Sequence, residues 1–382
     1  MRKTLPGFFY TDAAHFRREV AHFFFTKWVC VGRADEIPNR GDYFLRDVLG
    51  ESLIVVRNQD GGVSAMFNVC RHRGTRICES PCGTFPGSIQ CSYHAWTYDL
   101  RGRLIGAPHM DDVPGFDRED YPLKQVACEL WDGHIFLNAG MARPEGQPLQ
   151  QAGVKAGLQV GPPPLRAQLG QLVERFRPWR MEELRVGHRA VYDVHANWKL
   201  IIQNYNECLH CPVLHPLLNQ MHHYLGADNA PSESTFCGGT MGFKEGVETL
   251  SIDGKRRRNY LPGLGVAERS VVSYFSIYPN LLLTLHPDYM MTVTLWPKAP
   301  DRTELLAEWH FHPDEIARPG FVMQDAIDFW DVTNREDWHI SELSQAGISS
   351  RAYEPGPYSS RELLLWDFDQ VVLRELGEDR SP

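Results

Sequence analysis

Two short Cys-plus-His pairs constrain the fold of this chain more than any other feature. In CRHRGTRICESPCGTFPGSIQCSYHAW they form Cys70-x-His72 and Cys91-x-x-His94, surrounded by Gly and Pro. Each pair is short enough to bind a metal from a single turn. One zinc ion could take all four residues in a closed tetrahedron, whereas a [2Fe-2S] cluster with mixed ligands would place the Cys on one iron and the His on the other. The spacing alone leaves both alternatives open.

A second group of potential metal ligands lies in QNYNECLHCPVLHP. Glu207 and His210 are three residues apart and therefore share one face of a helix. His215 is five residues past His210, about 140° around an ideal helix, so one ion can bind both only where the helix breaks. Pro212 supplies a break. Two His with a carboxylate from elsewhere would form the facial triad of a non-haem Fe(II) oxygenase; the alternative is that these are ordinary core or surface histidines.

The third ligand of such a triad would be a carboxylate, and a long helix predicted from about Phe321 to Gln345 offers several. The acidic residues of this helix are Asp325, Asp328, Asp331, Glu336, Asp337 and Glu342. Spacing does not choose among them. Two other groups compete as metal sites: the pair His222-His223 and the zinc-like spacing Cys208-x-x-Cys211.

Three stretches of the chain resemble motifs of one family. NVCRHRGTRIC followed by CSYHAWTYDLRGRLIGAP resembles the Rieske motif of the aromatic-ring-hydroxylating oxygenases, and ANWKL with NECLHCPVLHP resembles their acid-x-x-His-x4-His signature. NREDWHISELSQAG is similar to the family's acidic pair followed by Gln-x-Gly. The resemblance extends from about Trp28 to Phe368. The departures are a slightly longer gap between the Cys-plus-His pairs, Ser92 where Pro is common, and Gln203 where Glu is common.

The resemblance implies two cofactors and an enzymatic activity. The implied ligands of a Rieske [2Fe-2S] cluster are Cys70, His72, Cys91 and His94. The implied ligands of a mononuclear Fe(II) are His210, His215 and Asp337. The chain would be the terminal oxygenase (alpha) subunit, which uses O2 to oxidise a small molecule. The family also implies a homotrimer, in which Glu207 connects His94 of one subunit to His210 of the next.

The hydrophobic pattern predicts an α+β chain with two domains. Short alternating strands with turn signals between Asp42 and Asn138 indicate a small all-β domain. Farther on, SVVSYFSIYPNLLLTLHPDYMMTVTLWPKAPDRTELLAEWHFH predicts an antiparallel meander with a turn at KAPDRT. With the long helix after it, the resemblance implies a catalytic domain of helix-grip (START-like) type.

The domain boundaries follow from changes in composition. A stretch rich in Pro and Gly between Ala139 and Arg180 marks the main boundary. We expect residues 1–27 to form an N-terminal helical segment that packs on the catalytic domain, with the helix itself predicted from Thr11 to Trp28 and Thr11 as its candidate N-cap. Residues 28–140 would form the Rieske domain, and residues 141–382 the catalytic iron domain.

Composition and charge narrow the set of partners. Net charge is -9, and the only dense basic run, Lys255 to Arg258, is predicted to be a solvated hairpin tip, so we expect no nucleic acid partner. Nine cysteines without a signal peptide or an 18-residue apolar run indicate a cytoplasmic protein with no membrane span. The chain has no dinucleotide fingerprint, and a separate NAD(P)H-dependent reductase of flavin or ferredoxin type would therefore supply the electrons.

The substrate is the least constrained part of the prediction. YDVHANWKL, NECLHCPVLHP, IYPNLLLTLHPDYMMT and EWHFHPDE most resemble the family branch that acts on quaternary ammonium compounds such as glycine betaine, stachydrine, carnitine and choline. Aromatic faces attract such a cation. The candidate aromatic residues are Tyr205, Tyr224, Tyr274, Phe275, Tyr278, Tyr289 and Trp296.

Three alternatives to this function stay open. The same rings could be plain core, or they could line a pocket for an aromatic acid or hydrocarbon that is hydroxylated. From other classes of protein, a non-catalytic ligand-binding module with a structural zinc would explain the sheet and helix. A redox protein without oxygenase activity would explain the cluster motif alone.

Overall fold

A computed structural model describes residues 1–140 and 162–378 of the chain. Within these ranges the residues group into two compact units, Phe24–Ala167 and Met1–Phe23 with Gln168–Pro382. Each unit contains its own antiparallel seven-stranded sheet. Among the described helices, none combines the length and the apolar character that a membrane span requires.

The unit Phe24–Ala167 is built from short strands. In chain order they are β1 Val29–Arg33, β2 Asp42–Val48, β3 Glu51–Arg57, β4 Val63–Phe67, β5 Cys82–Thr84, β6 Ser88–Gln90, β7 Thr97–Asp99, β8 Leu104–Gly106, β9 Gln125–Trp131 and β10 His134–Asn138. The large sheet has the order β1-β10-β9-β4-β3-β2-β5, and β6-β7-β8 form a second, three-stranded sheet. Single-turn 3-10 helices lie at Ala34–Glu36 and Arg118–Asp120.

The core of this unit leads directly to the two Cys-plus-His loops. Ile54 and Met66 of the large sheet and Ile89 of the small one are fully buried in one cluster, which also contains Cys70 and Cys91. Burial of apolar side chains drives this packing, and it holds the two loops beside each other.

The second unit contains a longer antiparallel sheet. Its strands are β11 Arg185–Val194, β12 His222–Asn229, β13 Phe236–Phe243, β14 Val271–Ile277, β15 Leu281–Leu285, β16 Met290–Ala299 and β17 Arg302–Phe311. They are arranged in the order β11-β17-β16-β15-β14-β13-β12. The register pairs Ala299 with Arg302, which places the predicted KAPDRT turn between β16 and β17.

Helices accompany the sheets. They are α1 Phe8–Thr11, α2 Ala13–Glu19, a π-helix at Val20–Phe24, α3 Leu165–Leu169, α4 Leu172–Arg175, 3-10 turns at Arg177–Trp179 and Met181–Glu183, α5 Trp198–Tyr205, α6 Cys211–Leu214, α7 Pro216–Met221, α8 Val266–Arg269, α9 Pro313–Ile316, α10 Gln324–Ile348 and α11 Leu363–Glu375. The long predicted helix is α10, which packs against α5 and β11. The α+β prediction is confirmed.

The N-terminal helix differs from the prediction. The segment is divided into α1, α2 and the π-helix, and α2 begins after Asp12, whose Oδ1 accepts the backbone N–H of His15 at 2.7 Å. Thr11 lies in the last turn of α1, where its hydroxyl donates to the carbonyl of Gly7. The prediction that Thr11 is the N-cap was therefore wrong, because the adjacent Asp12 has the extended backbone that an N-cap requires.

The basic run also differs from the prediction of a solvated hairpin tip. Arg258 is 1% exposed, and its guanidinium contacts Asp288 Oδ2 at 2.9 Å and Asp325 Oδ1 at 2.6 Å. Charged side chains are buried almost only when they are paired. Arg258 is thus a buried structural residue of the second unit.

Candidate metal centres

The two Cys-plus-His loops share one backbone pattern. The N–H of Gly74 donates to the carbonyl of Cys70, and the N–H of Ala95 donates to that of Cys91 in the same way, at 3.0 and 3.1 Å. Gly74 and Ala95 both have positive φ, 75° and 57°, which closes each loop tightly behind its cysteine. The sequence therefore presents its two ligand pairs on two equivalent turns.

The four predicted cluster ligands lie together at these turns. Cys70 and Cys91 are each 3% exposed and unpaired, and the rings of His72 and His94 lie 4.6 Å apart. Nδ1 of His72 is buried and finds no hydrogen-bond partner among the described residues. Buried polar atoms are otherwise nearly always paired, so this nitrogen is free for a metal. Two buried thiols and two adjacent imidazoles fit a [2Fe-2S] cluster with mixed ligands.

Tyr98 completes the surroundings of this site. Its hydroxyl accepts the backbone N–H of Arg71 at 3.1 Å and lies 3.4 Å from Sγ of Cys70. The phenol proton is therefore available to the sulfur. Burial raises the pKa of the Tyr98 hydroxyl beyond its usual range, and the phenol stays protonated. A hydrogen bond to a ligand sulfur tunes the reduction potential of an iron–sulfur cluster.

The second candidate centre brings His210, His215 and Asp337 together. Nε2 of His215 lies 2.8 Å from Oδ1 of Asp337, and Nε2 of His210 lies 3.5 Å from the same oxygen. The two His come from the ends of α6, and Asp337 comes from the middle of α10. Three donors that converge on one point fit a 2-His-1-carboxylate iron site. The two imidazoles can converge although they would lie about 140° apart on an ideal helix, because His210 precedes the first residue of α6.

Two further carboxylates orient the imidazoles from behind. Oε1 of Glu207 lies 2.5 Å from Nδ1 of His210, and Oε2 of Glu336 lies 2.7 Å from Nδ1 of His215. A metal-binding imidazole commonly donates its other N–H to a carboxylate, which fixes the tautomer and the ring orientation. Glu336, one of the candidate third ligands, therefore contacts the side of His215 opposite Asp337.

The imidazoles and the carboxylates of this site shift each other's pKa values. Burial lowers the pKa of His210, but the bonds to Asp337 and Glu207 outweigh it and raise the pKa to about 9. Burial would raise the pKa of Asp337, yet the two imidazoles hold it below its usual value. The site therefore keeps Asp337 as a carboxylate, the form that binds a cation.

A cavity of roughly 670 Å³, part of it open to solvent, adjoins this centre. Its wall includes His210, His215, Asp337 and Glu207. Apart from these groups, the wall is apolar or neutral. No Lys or Arg lines it within the part of the chain that the structure describes.

Aromatic rings form a second part of the wall. Tyr205, Tyr274 and Trp330 line the cavity, and Tyr274 meets the other two rings edge to face at centroid distances of 6.1 and 6.4 Å. Of the other predicted aromatic candidates, Tyr224 is partly exposed outside the cavity wall, and the remaining residues are buried core: Phe275, Tyr278, Tyr289 and Trp296.

Trp330 was missed by the sequence interpretation. It lies seven residues before Asp337 on α10, and Thr333 between them also lines the cavity. Residues i, i+3 and i+7 share one face of a helix, so the position of Asp337 predicts the other two. The signal was present in the sequence.

His222, one of the competing candidates for a metal ligand, makes hydrogen bonds with both ring nitrogens. Its Nδ1 lies 2.9 Å from the carbonyl of Gly242 and must donate to it, which leaves Nε2 to accept the hydroxyl of Tyr274 at 3.1 Å. Burial lowers the pKa of His222 to about 4, so the ring is neutral. His222 thus supports an aromatic wall residue, and both of its nitrogens are used.

Cys208 and Cys211, the other competing pair, are joined by a disulfide. The remaining seven cysteines of the chain form no disulfide. A zinc site at Cys208-x-x-Cys211 needs two thiolates, and a disulfide supplies none.

Comparisons with known proteins agree with this geometry. Residues 27–117 match the Rieske [2Fe-2S] domain, and residues 181–378 match the ring hydroxylating alpha subunit (catalytic domain). The glycine betaine monooxygenase oxygenase subunit of Pseudomonas aeruginosa (strain PAO1) is 28% identical over 99% of this chain and 91% of its own. The carnitine monooxygenase oxygenase subunit of Escherichia coli (strain K12) is 27% identical over 92% and 85%.

The fold is also that of a solved protein. The quaternary ammonium Rieske monooxygenase CntA in complex with L-carnitine superimposes with a TM-score of 0.76 at 24% identity, over 98% of this chain and 95% of that one.

These matches settle the class of protein. They exclude a non-catalytic module with a structural zinc and a redox protein that carries only the cluster, because both domains of an oxygenase subunit are present. The cofactors are a Rieske [2Fe-2S] cluster and a mononuclear iron, and the chain is an oxidoreductase. With more than half of its length in the catalytic domain, this chain belongs to the ring-hydroxylating alpha subunit family of Rieske oxygenases.

Proposed function

We propose that this oxygenase hydroxylates or N-demethylates a small quaternary ammonium compound. One observation carries the proposal: the cavity beside His210 and His215 is lined by three aromatic rings and, in the described ranges, by no Lys or Arg. The rings attract a cation, and a substrate anion would find no Lys or Arg to pair with. The names of the relatives, which act on glycine betaine and carnitine, support the same substrate class.

The aromatic wall supplies the contact that a methylated nitrogen needs. A quaternary ammonium ion has no N–H to donate, and it binds best against the faces of Trp and Tyr rings. Tyr205, Tyr274 and Trp330 offer three such rings in the same cavity wall as Glu207. We expect the cationic head to sit among these rings, with a methyl or methylene carbon toward the iron ligands.

In this proposal His210, His215 and Asp337 hold the iron, and Cys70, His72, Cys91 and His94 hold the cluster. The iron, when bound, activates O2 with electrons that arrive from the cluster. The residues of the chain position the reaction: Glu207 fixes the ring of His210.

The electrons come from outside this chain, since the relatives are named as oxygenase subunits of larger systems. We propose a separate NAD(P)H-dependent reductase of flavin or ferredoxin type. We also propose a homotrimer in which Glu207 bridges His210 to His94 of the next subunit. CntA is described as a quaternary ammonium Rieske monooxygenase with inter-subunit electron transfer, which supports this arrangement. A ring of heterologous contacts allows it.

The division into residues 1–27, 28–140 and 141–382 belongs to the same proposal, with the Rieske domain in the middle segment. We also propose a cytoplasmic location, since seven of the nine cysteines form no disulfide. Cysteines outside disulfides are typical of proteins in a reducing compartment.

Turnover with a substrate panel tests the proposed activity. The purified oxygenase, supplied with a surrogate reductase and NADH, is given glycine betaine, carnitine, choline and a set of aromatic acids and hydrocarbons. We expect formaldehyde or a hydroxylated product from at least one amine. A neutral carbon isostere, in which C(CH3)3 replaces N(CH3)3, serves as the control and should be a poor substrate. Products from an aromatic compound and from none of the amines would contradict the proposal.

A further inference from the structure

Cys208 and Cys211 flank His210, and a disulfide joins them. Both cysteines line the cavity beside the candidate iron ligands. A 2-His-1-carboxylate iron site contains no sulfur ligand, so the oxygenase activity assigns no task to this pair. Their position beside a metal centre nevertheless gives them access to any ion held there.

Cys211 is positioned to join His210 and His215 as a metal ligand. The N–H of His215 donates to the carbonyl of Cys211 at 3.0 Å, so the two side chains are one helical turn apart on the same face. Sγ of Cys211 and one ring nitrogen of each His all lie within 4.8 Å of one another. One thiolate and two imidazoles at this spacing, with a carboxylate nearby, form a donor set that zinc favours.

While the disulfide is present, the sulfur of Cys211 cannot bind a metal as a thiolate. The two sulfurs of the disulfide carry no thiolate, and the thiolate is the form of cysteine that binds metals. A phosphine reduces the bond by two electrons, takes up oxygen from water to become its oxide, and leaves two thiols that carry the two protons of that water. Binding of a metal then releases the proton of the Cys211 thiol to solvent.

We propose that the redox state of the Cys208–Cys211 pair decides whether Cys211 joins His210 and His215 as a metal ligand. With the disulfide closed, the site offers nitrogen and oxygen donors only, as non-haem Fe(II) sites do. With the pair reduced, the Cys211 thiolate adds a soft donor, which increases the preference of the site for zinc over Fe(II). The inference rests on the proposed function, since it takes His210 and His215 as metal ligands.

Zinc K-edge X-ray absorption on the full chain with its cluster retained tests the inference, because this edge reports on zinc and not on the cluster iron. The mononuclear iron is removed by chelation, and one equivalent of Zn²⁺ is added to protein oxidised with diamide or reduced with a phosphine. We expect only nitrogen and oxygen neighbours in the oxidised protein. In the reduced protein we expect one sulfur neighbour at about 2.3 Å.

Two nearly isosteric variants should behave in opposite ways. Cys211→Ser removes the sulfur donor, so zinc should have no sulfur neighbour under either condition. Cys208→Ser leaves Cys211 without its disulfide partner, so zinc should have a sulfur neighbour under both conditions. A general loss of structure would not separate the two variants in this manner.

Zinc without a sulfur neighbour in both the reduced wild type and Cys208→Ser overturns the inference and leaves the oxygenase assignment intact. His210→Ala tests separately whether His210 is a metal ligand. We expect this variant to lose most of the added zinc. Full zinc binding in His210→Ala would contradict the ligand assignment, and the inference with it.

Discussion

His215 lies between two carboxylates of one helix. Its Nε2 is 2.8 Å from Oδ1 of Asp337, and its Nδ1 is 2.7 Å from Oε2 of Glu336. The two acids are adjacent in α10, and the imidazole is wide enough to contact both. Asp337 therefore lies on the side of the ring that faces His210, and Glu336 contacts the opposite side.

This arrangement predicts that Glu336 strengthens metal binding without being a ligand. Glu336→Ala removes the acceptor of the Nδ1 proton, and loss of such a partner weakens metal affinity by about 10- to 100-fold. Glu336→Gln keeps an acceptor oxygen, so its affinity for Fe(II) should lie between those of Glu336→Ala and the wild type. The dissociation constant of Fe(II) measures the effect. Asp328→Asn, an exposed site on the same helix, is the control and should change nothing. Wild-type affinity in Glu336→Ala would remove the positioning role.

The two metal centres should be lost independently. Purified protein should contain two irons and two sulfides per chain, with one further iron. Cys91→Ala should abolish the visible bands of the cluster, because a methyl group cannot replace a thiolate ligand. His210→Ala and Asp337→Ala should lose the third iron and all oxygenation while the cluster spectrum is retained. Iron analysis and absorption spectra measure both. Full iron in Asp337→Ala would show that another acid of α10 is the ligand.

Glu207 should affect electron transfer more than metal content. Its carboxylate is 2.5 Å from Nδ1 of His210 and also accepts the backbone N–H of Leu209. Glu207→Gln keeps the shape of the side chain but loses the charge. We expect both metals to stay bound and reductase-driven turnover to collapse, because the proposed bridge between two imidazoles is weakened. Normal turnover in this variant would contradict the bridging role.

A buried acid far from the metal ligands predicts a pH dependence of stability. Burial raises the pKa of Asp369 to about 7, although hydrogen bonds from Tyr358 and Gln203 oppose the shift. The charged or titratable groups around it include Lys199, Tyr10, Tyr278 and Tyr358. In the unfolded chain an Asp titrates near 4.

Between about pH 4 and pH 7 the folded protein therefore holds a proton on Asp369 that the unfolded chain lacks. The free energy of unfolding should fall as pH rises through this window, by on the order of a few kcal/mol. Asp369→Asn should flatten this part of the pH profile, and Asp367→Asn on the same helix should not. Unfolding midpoints at several pH values check the prediction. An equal slope in Asp369→Asn and the wild type would show that another group titrates.

Local patterns in the sequence predicted much of this structure, and long-range pairing explains the rest. The apolar, β-branched run in β3 and the periodicity of α10 indicate strand and helix from neighbouring residues alone. The burial of Arg258 depends on Asp288 and Asp325, which are 30 and 67 residues away, and no local pattern shows them. Helix α11 was not predicted.

The candidate sites divide in the same way. Short motifs place Cys70, His72, Cys91 and His94 on two turns whose geometry is local. Spacing could not choose Asp337 among the acids of α10, because the choice depends on which of them faces His215 in the folded chain. The family resemblance made that choice, and Asp337 is the acid that lies between the two imidazoles.

A single turnover tests the central claim most directly, because it needs no knowledge of the natural reductase. The protein is reduced chemically, freed of excess reductant, and mixed with O2 and one quaternary amine at a time. The account predicts O2-dependent formaldehyde or hydroxylated product from an amine that fits the cavity lined by Tyr274 and Trp330, at up to about one product per chain. Asp337→Ala should form none of this product under the same conditions. No oxidised product from any quaternary amine, together with an oxygenated aromatic product under the same conditions, would contradict the account.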